Sequence, residues 1–142
     1  MYYGNSFNCG RIRTGRAVLV AISIPIFTSQ LEKSREATDL ANIRSAYAEC
    51  SAALLTESTT STNGVTYTAP TTGENAEPGQ ATKDVKLTQK QADWQTDKAT
   101  EIGGTALSAL GYTPAVGDTV TVTVKADGTW TLAKRALNKK NK

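Results

Sequence analysis

The chain has 142 residues, a formal net charge of +3 and no histidine. Its length suits one modest domain, and so small a charge does not by itself indicate a nucleic-acid-binding protein. The lack of histidine removes the commonest general base, metal ligand and activator of a nucleophile. We therefore predict no enzyme, no cofactor, no metal site and no small-molecule substrate, although a carboxylate-only enzyme stays open.

The two cysteines, Cys9 and Cys50, lack the spacing of a metal site. On one helix they would lie tens of ångströms apart, at about 1.5 Å per residue, which is too far for a disulfide. We expect Cys50 to pack as a small hydrophobic residue.

Composition divides the chain into a polar stretch (1–16), a long predicted helix (17–57) and a threonine- and glycine-rich remainder (58–142). The helix is apolar over 17–27 and amphipathic over 28–57. Its apolar part covers every side of a helix, so it needs lipid or other chains around it. The side chains concerned are Val18, Leu19, Val20, Ile22, Ile24, Pro25, Ile26 and Phe27.

Three other interpretations of residues 17–27 stay open: a buried core helix, the apolar core of a secretory signal with three arginines before it, or the first turns of the amphipathic helix. No small-x-small cleavage pattern follows Phe27, which counts against the signal. The rest of the chain is small, which counts against burial.

The amphipathic part carries apolar residues three and four positions apart, which predicts one buried stripe. Glu32 with Arg35, and Arg35 with Asp39, have spacings that predict ion pairs on the exposed surface. The helix should end within 56–64, where serine and threonine compete for backbone hydrogen bonds and Gly64 follows. The predicted stripe is Leu40, Ile43, Tyr47, Cys50 and Leu54.

The segment GDTVTVTVKADGTWTL predicts a β-hairpin. A three-residue loop over 126–128 places every apolar residue of both strands on one face, whereas a two-residue turn does not. We therefore predict a type I turn followed by Gly128 in the left-handed region. The residues of this face are Val120, Val122, Val124, Trp130 and Leu132.

Weaker strands are predicted in GVTYTA and DVKLTQ, with a polar loop, PTTGENAEPGQATK, between them. TALSALGY predicts one or two helical turns stopped by Gly111. Asp93, Asp97 and Glu101 lie four apart on a predicted helix, a pattern typical of a solvated face. Gly103 and Gly104 lack the lysine of a phosphate loop.

Together these elements predict an α+β fold. One long helix packs its stripe on an antiparallel sheet of about four strands.

The stretch AVLVAISIPIFTSQLEKSREATDLANIRSAYAE resembles the N-terminal helix of type IV pilins, in the form found in Gram-positive bacteria of the Firmicutes. The match covers residues 17–55 and includes the Ile-Pro-Ile-Phe junction. The resemblance implies a ladle-shaped subunit whose helix is first a membrane anchor and then the core of a helical homopolymer. It implies the pilus assembly machinery as a partner and a cell-surface filament as the location, after storage in the cytoplasmic membrane.

The start of the chain departs from the pilin pattern. Counted back from Pro25, the family's glycine, first mature residue and glutamate fall on Tyr3, Gly4 and Asn8. Residues 17–27 would give about 16 Å of helix against about 30 Å of hydrocarbon core. We therefore expect residues 1–16 to be an atypical or misframed start, or the chain to be a degenerate copy. As written, it should neither span a membrane well nor be processed by a prepilin peptidase.

Basic residues cluster at the end of the chain, which predicts a solvated, frayed terminus or weak attraction to an anionic surface or to DNA. These residues are Lys134, Arg135, Lys139, Lys140 and Lys142. The predicted function is a structural pilus subunit. A minor pilin or pseudopilin of a secretion or DNA-uptake system, and a small surface-anchored β-rich binding domain, are the alternatives.

Overall fold

The computed structural model of the chain describes residues 14–57 and 63–136, with side chains from residue 26 onward. In these residues a helix, α1 (Thr14–Thr56), precedes all of the strands. The strands are β1 (Val65–Thr68), β2 (Gln80–Lys86), β3 (Glu101–Ile102), β4 (Thr105–Ala106), β5 (Thr119–Lys125) and β6 (Trp130–Lys134), and a 3-10 helix (Leu107–Leu110) follows β4.

The chain divides into two units, Met1–Leu31 and Glu32–Lys142. The described part of the first unit is entirely helical. The second contains a four-stranded antiparallel sheet in the order β1-β2-β5-β6 and a separate β3-β4 ladder. The predicted α+β class, with one long helix and a four-stranded antiparallel sheet, is confirmed.

Residues of α1 and of the sheet form the core of the second unit. Ile43 and Cys50 are completely buried, Leu40 is nearly so, and Tyr47 and Leu54 are partly buried against the same cluster. Cys50 is a free thiol in this core, as predicted. The helix ends at Thr56, inside the predicted limits. The strands contribute Ala81, Val85, Val120, Val122, Val124, Trp130 and Leu132.

The predicted hairpin has the predicted register. Val124 pairs with Trp130 and Val122 with Leu132, so the loop contains three residues. Gly128 has φ of 86°, and its amide donates to the carbonyl of Lys125 at 3.0 Å. The apolar side chains of β5 and β6 lie on one buried face, because only this register places them together.

Strand β2 begins at Gln80, inside the segment predicted as a polar loop. It pairs with β1 on one side and β5 on the other. The alternation was hidden because Lys83 occupies a position on the helix-facing side, where its ammonium pairs with Glu49 of α1. An earlier part of the predicted loop is also ordered by the Thr71 amide, which donates to the Glu77 carbonyl at 3.0 Å.

The helix predicted to carry Asp93, Asp97 and Glu101 is absent from the described structure of residues 91–102. Asp93 has φ of 67°, and Glu101 lies in β3. The predicted helical turns of TALSALGY are divided between β4 and the 3-10 helix, which ends at Gly111 in the left-handed conformation.

Gly103 and Gly104 form the turn between β3 and β4, with φ of 55° and 76°. Both values lie in the region that glycine enters without steric cost. A Cβ atom on Gly103 would lie 2.6 Å from the ring of Tyr47. This close approach, rather than phosphate binding, accounts for a glycine there.

Candidate functional site

Three carboxylates continue the buried stripe of α1 toward the helix start. Glu32, Glu36 and Asp39 are spaced by four and three residues, and the next step of four reaches Ile43. Their exposed fractions are 3%, 1% and 0%. Buried carboxylates require hydrogen-bond donors, and here residues 88–96, the 88–96 loop, supply them. We call the three residues the carboxylate ladder.

Asp39 holds the start of the 88–96 loop. Its carboxylate accepts the amides of Thr88 and Gln89 at 2.9 Å and the Thr88 hydroxyl at 2.8 Å. Both oxygens are therefore engaged by two successive residues of the loop.

Glu36 holds the end of the loop. Its Oε2 accepts the amide of Gln95 and its Oε1 that of Thr96, both at 2.9 Å. One carboxylate again bridges two successive amides, so its two oxygens fix the backbone direction of the loop.

Glu32 holds the middle of the loop through its Oε1, which accepts the amides of Lys90 and Gln91. Its Oε2 accepts from the Arg35 guanidinium at 3.2 Å. Burial raises the pKa of Glu32, but the two amides and Arg35 lower it by more, so the net pKa lies below its usual value.

The expected ion pairs of α1 therefore need correction. Glu32 and Arg35 do contact each other, but Glu32 is buried rather than on the exposed surface. The predicted pair of Arg35 with Asp39 is wrong, because Asp39 is completely buried and bonds to the loop backbone. Backbone amides of the loop, rather than water, bond to these buried carboxylates. The spacing of residues along the helix does not reveal such partners.

The far side of the loop is held by neutral groups. The Trp94 indole donates to the Tyr112 carbonyl at 3.1 Å, and the Asp93 amide donates to the Pro114 carbonyl at 2.9 Å. The Asp93 carboxylate pairs with Lys98 rather than with the ladder.

Part of the basic tail belongs to the sheet. Lys134 pairs with Asp118 at 2.7 Å, and Arg135 pairs with Asp84 at 3.1 Å. Both side chains stay largely exposed, at 66% and 57%, as expected of solvated residues, but Lys134 lies in β6 rather than in a frayed end. Lys139, Lys140 and Lys142 lie outside the described residues.

The described end of the predicted assembly segment is apolar and exposed. Ile26, Phe27 and Leu31 have exposed fractions of 60%, 65% and 40%, and we call them the 26–31 patch. Helix α1 continues through Pro25. Residues 18–25 belong to the helix, but their side chains are not among those described, namely those of Val18, Leu19, Val20, Ile22, Ile24 and Pro25. The mismatched positions Tyr3, Gly4 and Asn8 lie outside the described residues.

Two kinds of feature are absent from the described residues. No helix there has both the length and the apolar character needed to cross a membrane. No cluster of acidic, cysteine or histidine side chains in the same residues has the makings of a metal site.

The chain matches no protein-family model, no curated protein and no solved structure in the comparisons made.

The ladder was missed by the sequence analysis, although the sequence contains a signal for it. Extending the predicted stripe backward from Ile43 by four, three and four residues gives Asp39, Glu36 and Glu32. Acidic residues on the buried side of a helix require donors from another element. Their presence predicts a covering loop rather than a sheet over the first turns of the stripe.

Proposed function

We propose that the chain is a structural subunit of a type IV pilus or a pilus-like surface filament, which assembles through α1. The observation that carries this proposal is the 26–31 patch, where three large apolar side chains are exposed on the helix. The patch overlaps the end of the apolar run 17–27, which contains Ile26 and Phe27.

Exposure of these side chains in the single chain favours association. Each side chain of this size gains about 1.5–3 kcal/mol when it is fully removed from water. Three neighbours on one helix therefore supply a substantial driving force, before the entropy lost on association is subtracted.

The fold supports the same proposal. The second unit buries one side of the rest of α1 against its own sheet and loop, through Ile43, Cys50 and the carboxylate ladder. The ladle shape implied by the pilin resemblance belongs to this proposal. So do the cell-surface location, storage in the cytoplasmic membrane and the assembly machinery as a partner.

The test is electron microscopy, with immunogold labelling, of filaments sheared from cells that express the full chain with a pilus assembly machinery. We expect the chain in the filaments, and we expect Phe27→Lys and Leu31→Lys to abolish its incorporation at unchanged protein levels. A charge placed at a buried helix contact is strongly unfavourable.

Val116→Lys is the matched control, because Val116 is also an exposed apolar residue, with 54% exposed, but lies outside the helix. This variant should assemble like the parent chain. Equal assembly of all three variants would contradict a role for the 26–31 patch. Filaments that form normally without the chain, and never contain it, would contradict the role as a major subunit, and trace labelling would favour a minor pilin.

A further inference from the structure

The 88–96 loop is attached to α1 by hydrogen bonds that are stronger when the carboxylates are ionised. Six backbone amides and one hydroxyl of the loop are donated to the carboxylate ladder. Each ladder residue accepts from two successive amides. A protonated carboxyl group has an O–H in place of one acceptor. Glu36 takes its two amides on different oxygens, so it cannot satisfy both with the same geometry once protonated. At Glu32 and Asp39 a single oxygen accepts both amides, and there protonation weakens the bonds by removing the charge that strengthens them.

Charged groups around the ladder do little to change this dependence. Among the described residues, the charged side chain bonded to the ladder is that of Arg35, which contacts Glu32 from the same helix. From the loop, Lys90 gives its amide and leaves its side chain exposed, and Asp93 is paired with Lys98. Loop attachment on this side thus rests on the charge of the carboxylates themselves.

The sheet is held differently. Strands β2, β5 and β6 are joined by backbone ladders, and their buried residues are mostly apolar. These interactions do not change when carboxyl groups are protonated. Protonation of the carboxylates therefore weakens the attachment of the loop, whereas the backbone hydrogen bonds and apolar contacts that hold the sheet stay in place.

We propose that the carboxylate ladder is an acid-released latch. It holds the 88–96 loop on α1 at neutral pH, and it releases the loop, with the four-stranded sheet still folded, when its carboxylates take up protons.

The sign of the effect follows from linkage. Burial raises the pKa of Glu32, but the two loop amides and Arg35 lower it by more, so the closed loop favours the ionised form of Glu32. This contribution to closure is present at neutral pH and is lost as the pH falls through the lowered pKa of Glu32. This inference does not depend on the proposed function.

The test is amide hydrogen exchange by NMR on the full chain in detergent, between pH 7 and pH 3, with rates corrected for the pH dependence of intrinsic exchange. We expect the amides bonded to the ladder to lose protection by at least about tenfold at a pH where β5 amides keep theirs. The amides are those of Thr88, Gln89, Lys90, Gln91, Gln95 and Thr96.

Trp94 provides a second measurement, because it lies in the loop and is only 6% exposed. In a Trp130→Phe background its fluorescence should shift to the red as the loop amides lose protection. Loss of protection at one common pH for loop and β5 amides would overturn the proposal. So would protection of the loop that persists to the lowest pH.

A variant tests the same latch at neutral pH. Glu36→Gln keeps the size of the side chain but replaces one carboxylate oxygen by an NH₂ group, which cannot accept the loop amide that it faces. We expect the Gln95 and Thr96 amides to lose protection at pH 7 while β5 amides do not. The matched control is Glu49→Gln, which removes a carboxylate from the same helix that contacts Lys83 of β2 instead of the loop. Equal loop protection in both variants would contradict the latch.

Discussion

Asp39 accepts both the backbone amide and the side-chain hydroxyl of Thr88, at 2.9 and 2.8 Å, across 49 positions of sequence. A completely buried charge is tolerable there because hydrogen-bond donors satisfy both of its oxygens. All of these donors come from one short segment. This pair fixes where the chain leaves β2 and begins to cross the helix.

Replacing Asp39 should therefore be costly. Asp39→Ala leaves two amides and one hydroxyl without an acceptor, and we expect a loss of about 3 kcal/mol in the free energy of unfolding, since each such group costs about 1–3 kcal/mol. Urea unfolding of the full chain measures this loss. Asp97→Ala is the control, because Asp97 is exposed and accepts the amide of Ala99, and its loss should stay under about 1 kcal/mol. Similar losses in both variants would contradict the importance of the buried ladder.

The glycine turn of β3 and β4 offers a matched pair of substitutions. Gly103→Ala and Gly104→Ala both place a Cβ on a residue with positive φ, but only at Gly103 does that atom collide with the Tyr47 ring. We expect Gly104→Ala to cost about 1–2 kcal/mol and Gly103→Ala to cost about 1–3 kcal/mol more, through overpacking. Thermal unfolding checks this difference.

A double variant identifies the origin of that difference. If the ring is responsible, Tyr47→Ala should reduce the added cost of Gly103→Ala, although it also removes the edge-to-face contact of Tyr47 with Trp130 at 5.3 Å. Strictly additive losses would show that the ring is not the obstacle.

The thiol of Cys50 should be unreactive in the folded chain. Burial raises its pKa to about 11, and the thiolate is the reactive form. In a Cys9→Ser variant, which leaves Cys50 as the only cysteine, we expect negligible modification by a thiol reagent at pH 8 and rapid modification in urea. Fast labelling of the folded chain would mean that the core around Cys50 opens readily.

The contact between Tyr112 and Asp118 should depend on pH. The Lys134 ammonium, the Tyr112 hydroxyl at 2.8 Å and the Ala115 amide together hold the pKa of Asp118 below its usual value, despite burial. The contribution of Asp118 is therefore present near neutrality and lost as the pH falls through its lowered pKa. We expect Tyr112→Phe to be less stable than the parent chain at pH 7, with the difference shrinking in acid. Urea unfolding at several pH values measures it, and a difference that does not change with pH would contradict the assignment.

The hairpin of β5 and β6 was predictable to the residue because its alternation leaves a single acceptable register. Val122 and Leu132 can share a face only when the loop has three residues. The stripe of α1 was predictable for a related reason, since the 3.6-residue period singles out Ile43 and Cys50.

Other features depend on partners that are distant in sequence. Nothing near Glu36 indicates that Gln95 and Thr96 will cover it, because those residues lie 59 and 60 positions away. Strand β2 covers Gln80–Lys86 instead of the predicted 84–89, so the prediction began and ended too late. The start was missed because Lys83 breaks the alternation of apolar and polar residues, and its ammonium is accommodated only when Glu49 faces it. Local patterns describe what one element can do, whereas buried polar pairs are decided by two elements together.

The strand order has a consequence for the chain while it is being made. Strand β5 lies between β2 and β6, and its valines cover the apolar stripe of α1, yet it ends at Lys125. A ribosome adding about 5–20 residues per second takes several seconds to pass from the end of α1 to the end of β5. Over that interval β1 and β2 can already pair, but β5, the strand that joins β2 to β6, is missing from the cover of the stripe. The order of synthesis therefore leaves the apolar stripe of the nascent helix incompletely covered until β5 is made. Any partner that shields Ile43 and Cys50 during those seconds would have to leave before β5 can take its place.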